Sequence, residues 1–225
     1  MTKHAALALP PLAFLILAGC SGDDPVKPVV NPLPANNSPN GALARLEASL
    51  ETQSATGYRD LLTADYRFLF SSQTDPNLVV YYGTSWGRTL DDLSMQNMFD
   101  AATTVVVTFG AVTIVDDSTH ADSTAWYRVA QISSASAEIT VPDGSGGFVT
   151  YNPDARQDLA LVRGDAALLP AGVPADSTHW YVRQWSDLAS PVSARSKPLP
   201  AIAIPLPANA VTWGRLRATF GPPTF

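Results

Sequence analysis

Tyr58-Arg59-Asp60-Leu61-Leu62-Thr63-Ala64-Asp65-Tyr66-Arg67-Phe68 is the passage on which the reading of this chain turns. Its first half has helical spacing. Tyr58, Leu61 and Leu62 share one apolar face, and Thr56 just upstream is a suitable N-cap. The pattern stops near Ala64-Asp65. Tyr66-Arg67-Phe68-Leu69-Phe70 follows, aromatic and compact, and reads as a strand. A helix that hands over to a strand this early sets the order of what lies on either side.

Upstream, Leu43, Leu46 and Leu50 recur at helical spacing, so another helix is expected to begin near Asn40. Downstream, Asp75-Pro76 marks a loop over residues 71–77, and residues 78–82 read as a short edge strand. Thr89-Leu90-Asp91-Asp92 reads as a helix start, with Thr89 as cap and Asp92 as the capping-box acid. Leu93, Met98, Phe99 and Ala102 would form its buried stripe. From Thr103 the chain turns β-branched. Residues 103–115 read as one long strand with a bulge at Gly110, and residues 116–123 as a polar turn. Residues 124–141 form a second long strand, closed by the Gly-rich turn Pro142 to Gly147. Residues 148–151 are a short strand or loop arm, and residues 157–163 and 179–185 alternate like antiparallel strands with one wet face. Helices first and strands afterwards predict an α+β domain, with N-terminal helices on a curved antiparallel sheet.

The two ends are different. Lys3 precedes an apolar run from Ala5 to Ala18, the length of a secretory leader and short of the ~20 residues that span a bilayer. The run ends in Leu17-Ala18-Gly19-Cys20, which resembles the lipobox of bacterial lipoproteins. That resemblance implies cleavage before Cys20 and a lipid on its sulfur. Cys20 is the only cysteine, so it has no disulfide partner within the chain. Pro25, Pro28, Pro32, Pro34 and Pro39 make residues 20–40 an extended tether. The expected organisation is a leader over residues 1–19, a lipid-anchored linker over 20–40, the α+β domain over 41–190, and a Pro-rich tail over 191–225. Prolines 191, 198, 200, 205 and 207 argue for an extended tail packed along the domain. The tripeptide Trp-Gly-Arg occurs at Trp86 and again at Trp213, too short a recurrence to be a repeat.

The composition excludes several classes. A net charge of −6 and the absence of any Lys/Arg run argue against nucleic-acid binding and against adhesion to anionic lipid headgroups. His120 and His179, the histidines outside the leader, lack ligand spacing, so no metal is expected. The turn Asp116 to Asp122 lacks the spacing and late Glu of a calcium loop, and the Gly-rich turn lacks the Lys of a phosphate loop. No cofactor is expected. Gly-x-Ser-x-Gly is absent.

Two passages carry a resemblance to the nuclear transport factor 2-like (cystatin-like) superfamily. One is Tyr58 to Phe68. The other is His179-Trp180-Tyr181-Val182-Arg183-Gln184-Trp185-Ser186-Asp187, which resembles the common final strand of that group. The resemblance spans roughly residues 42–188. It implies a sheet wrapped round helices into a cone, often with a pocket at its open end. Enzymes of the superfamily use a pocket Asp, a Tyr or second acid, or a His-Asp pair; the nearest residues here are Asp65, Tyr66, Asp187 and His179. Trp126, Tyr127, Trp180, Tyr181 and Trp185 on the long strands are candidates for lining a ligand site. Alternation sets Trp180 on the face opposite Tyr181 and Trp185. The resulting expectation is an envelope lipoprotein, tethered through Cys20 on the periplasmic face of the inner or outer membrane. Its domain binds an apolar small molecule or an envelope protein without catalysis, or forms a homodimer. The alternative is a cone-pocket enzyme using an Asp or Tyr as acid or base.

Overall fold

The computed structural model describes residues 32–71, 76–171, 175–188 and 210–221. The leader, the lipobox Leu17 to Cys20, most of the linker, the loop around Asp75 and the tail up to residue 209 lie outside them. In chain order the elements are α1 (Pro39–Glu51), α2 (Ala55–Arg59), β1 (Leu62–Leu69), α3 (Pro76–Tyr82), β2 (Ser85–Gly87) and α4 (Arg88–Ala101). Then come β3 (Thr104–Phe109), β4 (Val112–Asp116), a 3-10 turn (Ser118–Ser123), β5 (Tyr127–Pro142), β6 (Phe148–Arg163), β7 (Trp180–Leu188), β8 (Ala210–Val211) and α5 (Trp213–Phe220). The class is α+β, as the element order predicts.

The helices begin where small oxygen-bearing side chains can satisfy orphan N–H groups. Ser38 Oγ accepts from Gly41 N, with Pro39 at the first helical position. Ser54, not Thr56, caps α2, accepting from Gly57 N. Leu43, Leu46 and Leu50 of α1 are buried, as their spacing requires. The helix α4 departs from expectation. It begins at Arg88 after Gly87, with no side-chain cap. Asp92 pairs instead with Arg88 and Arg59. Its inward face is Asp91, Ser94, Met95, Met98 and Phe99, while Leu93 is 45% exposed. A buried carboxylate has turned the helix away from the face its apolar residues suggest. Residues 78–82 belong to a helix rather than an edge strand. Leu78, Val79 and Tyr82 lie against the core, and Val80 and Tyr81 point out, which is a period of three to four.

The strand order is β2-β1-β7-β6-β5-β3, with β4 also on β5 and β8 on β6. The sheet is mixed rather than purely antiparallel, because β1 inserts beside β7 in parallel. Side-chain alternation reports which faces are wet and says nothing of which strand lies alongside.

Of the register shifts in the curved sheet, which include one between Leu62 and Arg67 on β1, two bulges bear on the site. The first lies at Ser133-Ser134, which β6 leaves unpaired between Ile132 and Ala135. There the expected long strand 103–115 divides. β4 pairs with Arg128 to Ile132, and β3 pairs with Ala135 to Thr140. Gly110 sits at the break, its N–H donating to Ser134 O at 2.7 Å. The second bulge is at Arg183, since Val182 opposes Leu161 while Gln184 opposes Ala160. It inverts the alternation of β7. Trp180, Val182 and Trp185 therefore all enter the main core, where strict alternation would have put the two tryptophans on opposite faces. Tyr181 turns to the other face, into a small cluster with Val162 and Leu169.

The tail contains a helix. Between the prolines at 207 and 222, Thr212 Oγ1 accepts from Arg215 N and starts α5, which packs on α4, α3 and β6. Trp213 and Leu216 are fully buried.

A Cβ on Gly110 would lie 2.9 Å from Ser134 O. Gly110→Val is therefore expected to destabilise the domain by about 1–3 kcal/mol through overpacking against backbone. A thermal melt followed by circular dichroism with an unchanged midpoint would show that the bend does not need this close approach.

Candidate functional site

The interior of the cone holds a polar cluster assembled from four distant elements. Arg217 comes from α5, Asp91 from α4, Tyr58 from α2 and Tyr66 from β1, and each is at most 1% exposed. Arg217 Nε donates to Asp91 Oδ1 at 2.6 Å, and Arg217 Nη2 donates to Tyr58 Oη at 3.1 Å. Tyr58 Oη in turn donates to Asp91 Oδ2 at 2.5 Å, so both carboxylate oxygens are satisfied. The guanidinium carbon lies 4.1 Å from the ring centre of Phe68 and 4.2 Å from that of Trp185, a cation–π contact with two rings tilted by 58° to each other. Arg217 Nη1 has no hydrogen-bond partner. Tyr66 Oη lies beside Tyr58 Oη, outside hydrogen-bonding geometry. Burial, and then the negative Asp91, push both tyrosines above their ordinary range, so they stay protonated. Burial opposes the charge on Arg217, but the Asp91 carboxylate beside it outweighs that and the guanidinium stays charged.

The same helix is held at both ends. Asp187 Oδ2 accepts from Gly214 N at 2.8 Å, and Gln157 fixes its other oxygen. Ser94 Oγ donates to Arg217 O and Asn97 Nδ2 to Phe220 O, satisfying carbonyls of the last turn. Trp213 Nε1 donates to Ala135 O at 2.7 Å. The space in which a pocket was expected is filled by this helix.

The opposite face of the sheet carries an open groove of about 960 Å³. Asp65 lies in it, accepting from Arg183 Nε at 2.8 Å and from Thr63 Oγ1. Arg67, Asp158, His120 and Tyr127 also line it. His120 Nδ1 lies 2.8 Å from Asp117 Oδ2, and its ring stacks on Tyr127 with centroids 3.9 Å apart. Burial works to raise the Asp117 carboxyl, but hydrogen bonds from Thr119 and His120 bring it below its ordinary range. Asp158 moves the other way. Burial raises its carboxyl against the pull of Arg156, and its Oδ1 has no hydrogen-bond partner. Ion pairs and a stacked imidazole suit this groove to polar ligands. A carboxyl raised by burial can also exchange a proton nearer neutrality than an ordinary Asp.

The sequence candidates therefore separate. Asp65 and Tyr127 reach the groove. Tyr66 and Asp187 are interior groups, as are Trp180 and Trp185. Tyr181 joins the small outer cluster. Trp126 is 41% exposed, with the Arg163 guanidinium 5.8 Å from its ring. His179 Nδ1 sits 2.7 Å from Asp176 in a turn just ahead of β7. Sequence reasoning missed Asp91, Asp158 and Arg217. It also missed a visible signal. Asp-Ser-Thr-His occurs at residues 117–120 and again at 176–179. Both copies fold alike, with the Asp accepting from the Thr backbone and hydroxyl and facing the His ring. Among the described residues no three His, Cys, Asp or Glu side chains converge on a metal position. No helix there is long and apolar enough to cross a membrane.

No family model matches the chain, and no curated protein matches it. Solved structures are similar in chain path. A cystatin-like protein from Caulobacter vibrioides is 10% identical, with a TM-score of 0.46 over 71% of this chain and 92% of that one. A proposed dehydratase of the nuclear transport factor 2-like family from Streptomyces avermitilis is 10% identical, with a TM-score of 0.41 over 66% and 90%. A proposed aromatic ring hydroxylase from Novosphingobium aromaticivorans is 13% identical, with a TM-score of 0.44 over 65% and 82%.

Removing one partner from a buried ion pair strands the other charge. Arg217→Ala and Asp91→Leu are each expected to cost about 3–5 kcal/mol in urea unfolding, and Asp91→Leu with Arg217→Met to recover most of that. Two additive single losses would contradict the coupling.

Proposed function

We propose that this chain is a bacterial lipoprotein, anchored to an envelope membrane through a lipid on Cys20, whose domain binds a ligand or protein non-catalytically in the outer groove. The observation that carries this reading is the division between the two sheet faces. The interior is filled by α5, and the roomy concavity is the polar groove bounded by Asp65, Arg183, Asp158 and His120. That division favours an occupant with charged or hydrogen-bonding groups over the apolar molecule suggested by the strand aromatics. The Pro-rich composition of residues 20–40 supports a role as spacer between the lipid and the domain.

The full chain with its leader is made in a bacterial host. The wild type is expected in the membrane fraction and Cys20→Ser in the soluble fraction. Native mass spectrometry from mild detergent is expected to show a retained polar molecule or protein on the wild type and its loss from Arg67→Ala/Arg183→Ala. A retained dimer that the double variant dissolves would make a second copy the occupant. A bare monomer in both samples, or membrane association of Cys20→Ser, would overturn the corresponding half of the reading.

The raised carboxyl of Asp158 favours a second reading, an enzyme working in this groove rather than in the cone. Turnover of any retained molecule that Asp158→Asn abolishes, with the acid limb of its pH profile, would establish it.

A further inference from the structure

We infer that the cone is a receptor for a short arginine-bearing helix, and that residues 210–221 are its built-in, exchangeable occupant. The inference does not depend on the outer groove. Residues 39–188 build the seat: Tyr58, Phe68, Asp91, Ser94, Asn97 and Asp187 all belong to elements formed before α5 in the chain. α5 itself is eight residues long, and β8, the strand leading into it, pairs with β6 at only two positions. What holds α5 is recognition of its parts. Its first turn meets the Asp187 carboxylate, and its last carbonyls meet Ser94 and Asn97. Its apolar stripe of Trp213 and Leu216 is buried, which is how an amphipathic helix docks in a groove.

The selectivity lies in Arg217. Among the described residues it is the cation that meets Asp91, so an occupant lacking a cation at that place would leave the carboxylate buried and uncompensated. The seat is also shaped for a flat cation. Phe68 and Trp185 pack on adjacent sides of the guanidinium, their ring centres 6.2 Å apart, while Nε and Nη2 reach Asp91 and Tyr58 separately. A lysine ammonium cannot make both bonds from the fixed positions of a planar fork. The occupant class is therefore an amphipathic helix presenting a Trp and, four residues on, an Arg.

The test uses the full chain with a protease site engineered between residues 189 and 209. After cutting, the C-terminal fragment is expected to co-elute with the folded domain. A labelled synthetic peptide of residues 207–225 is expected to exchange into the seat. Its Thr219→Ala variant should bind as the wild type does. Its Arg217→Lys variant should bind about tenfold more weakly, and its Arg217→Ala variant more than ~100-fold more weakly. Three results would overturn the inference: equal binding of the wild-type and Arg217→Ala peptides, a fragment that never exchanges, or loss of the domain's circular dichroism signal when the fragment leaves.

Discussion

A carboxylate with no exposure to water must be matched by a positive charge or give up its own, and in this protein Asp91 is matched by Arg217. Much of the architecture follows from that pairing. The helix α4 is rotated so that Asp91 faces inward and Leu93 outward. Tyr58 at the end of a five-residue helix closes the carboxylate's second oxygen. Phe68 and Trp185 form an aromatic corner against which the guanidinium packs. The chain must return more than a hundred residues after Asp91 to deliver the cation. A buried pair of this kind adds little net stability over an apolar core of the same shape, because both ions lose their water. Its effect is to make one arrangement of the tail acceptable and others costly.

The two β-bulges complete the division of labour between the sheet faces. The bend at Ser133-Ser134 lets a single long strand serve two partners, β4 and β3. The bulge at Arg183 changes which side of β7 is wet. Before it, Trp180 and Val182 point into the core. After it, Trp185 and Asp187 do, while Arg183, Gln184 and Ser186 are left to line the outer groove. One extra residue thus supplies Trp185 and Asp187 to the interior and Arg183 to Asp65 on the other face. The filled cone and the open groove are consequences of the same irregularity.

Much of the fold was legible because it rests on local periodicity. The stripe of Leu43, Leu46 and Leu50, the turn from Pro142 to Gly147 and the interruption at Gly110 are each written within a dozen residues. Residues 78–82 were misread because a short apolar run fits a strand and a helix turn equally well, and only the spacing of Leu78, Val79 and Tyr82 against the core separates them. The groove was half legible. Asp65 was singled out from its position at a helix-to-strand passage, and the repeated Asp-Ser-Thr-His turns could have been found by inspection. Asp158 could not, since its raised carboxyl comes from burial by neighbours remote in sequence.

The sequence by itself determined the class of the domain, the placing of its first helices ahead of the long strands and many of the residues available to its core. Those depend on spacing along the chain, and spacing is local. The tertiary structure alone decided that β1 lies parallel to β7, that the tail folds into a helix and enters the cone, and that the interior is closed while the outer face is concave. Each of these depends on a charge or a strand edge meeting a partner far away in sequence. No period or motif records that meeting, because the free energy of burying Asp91 is fixed only once Arg217 has arrived.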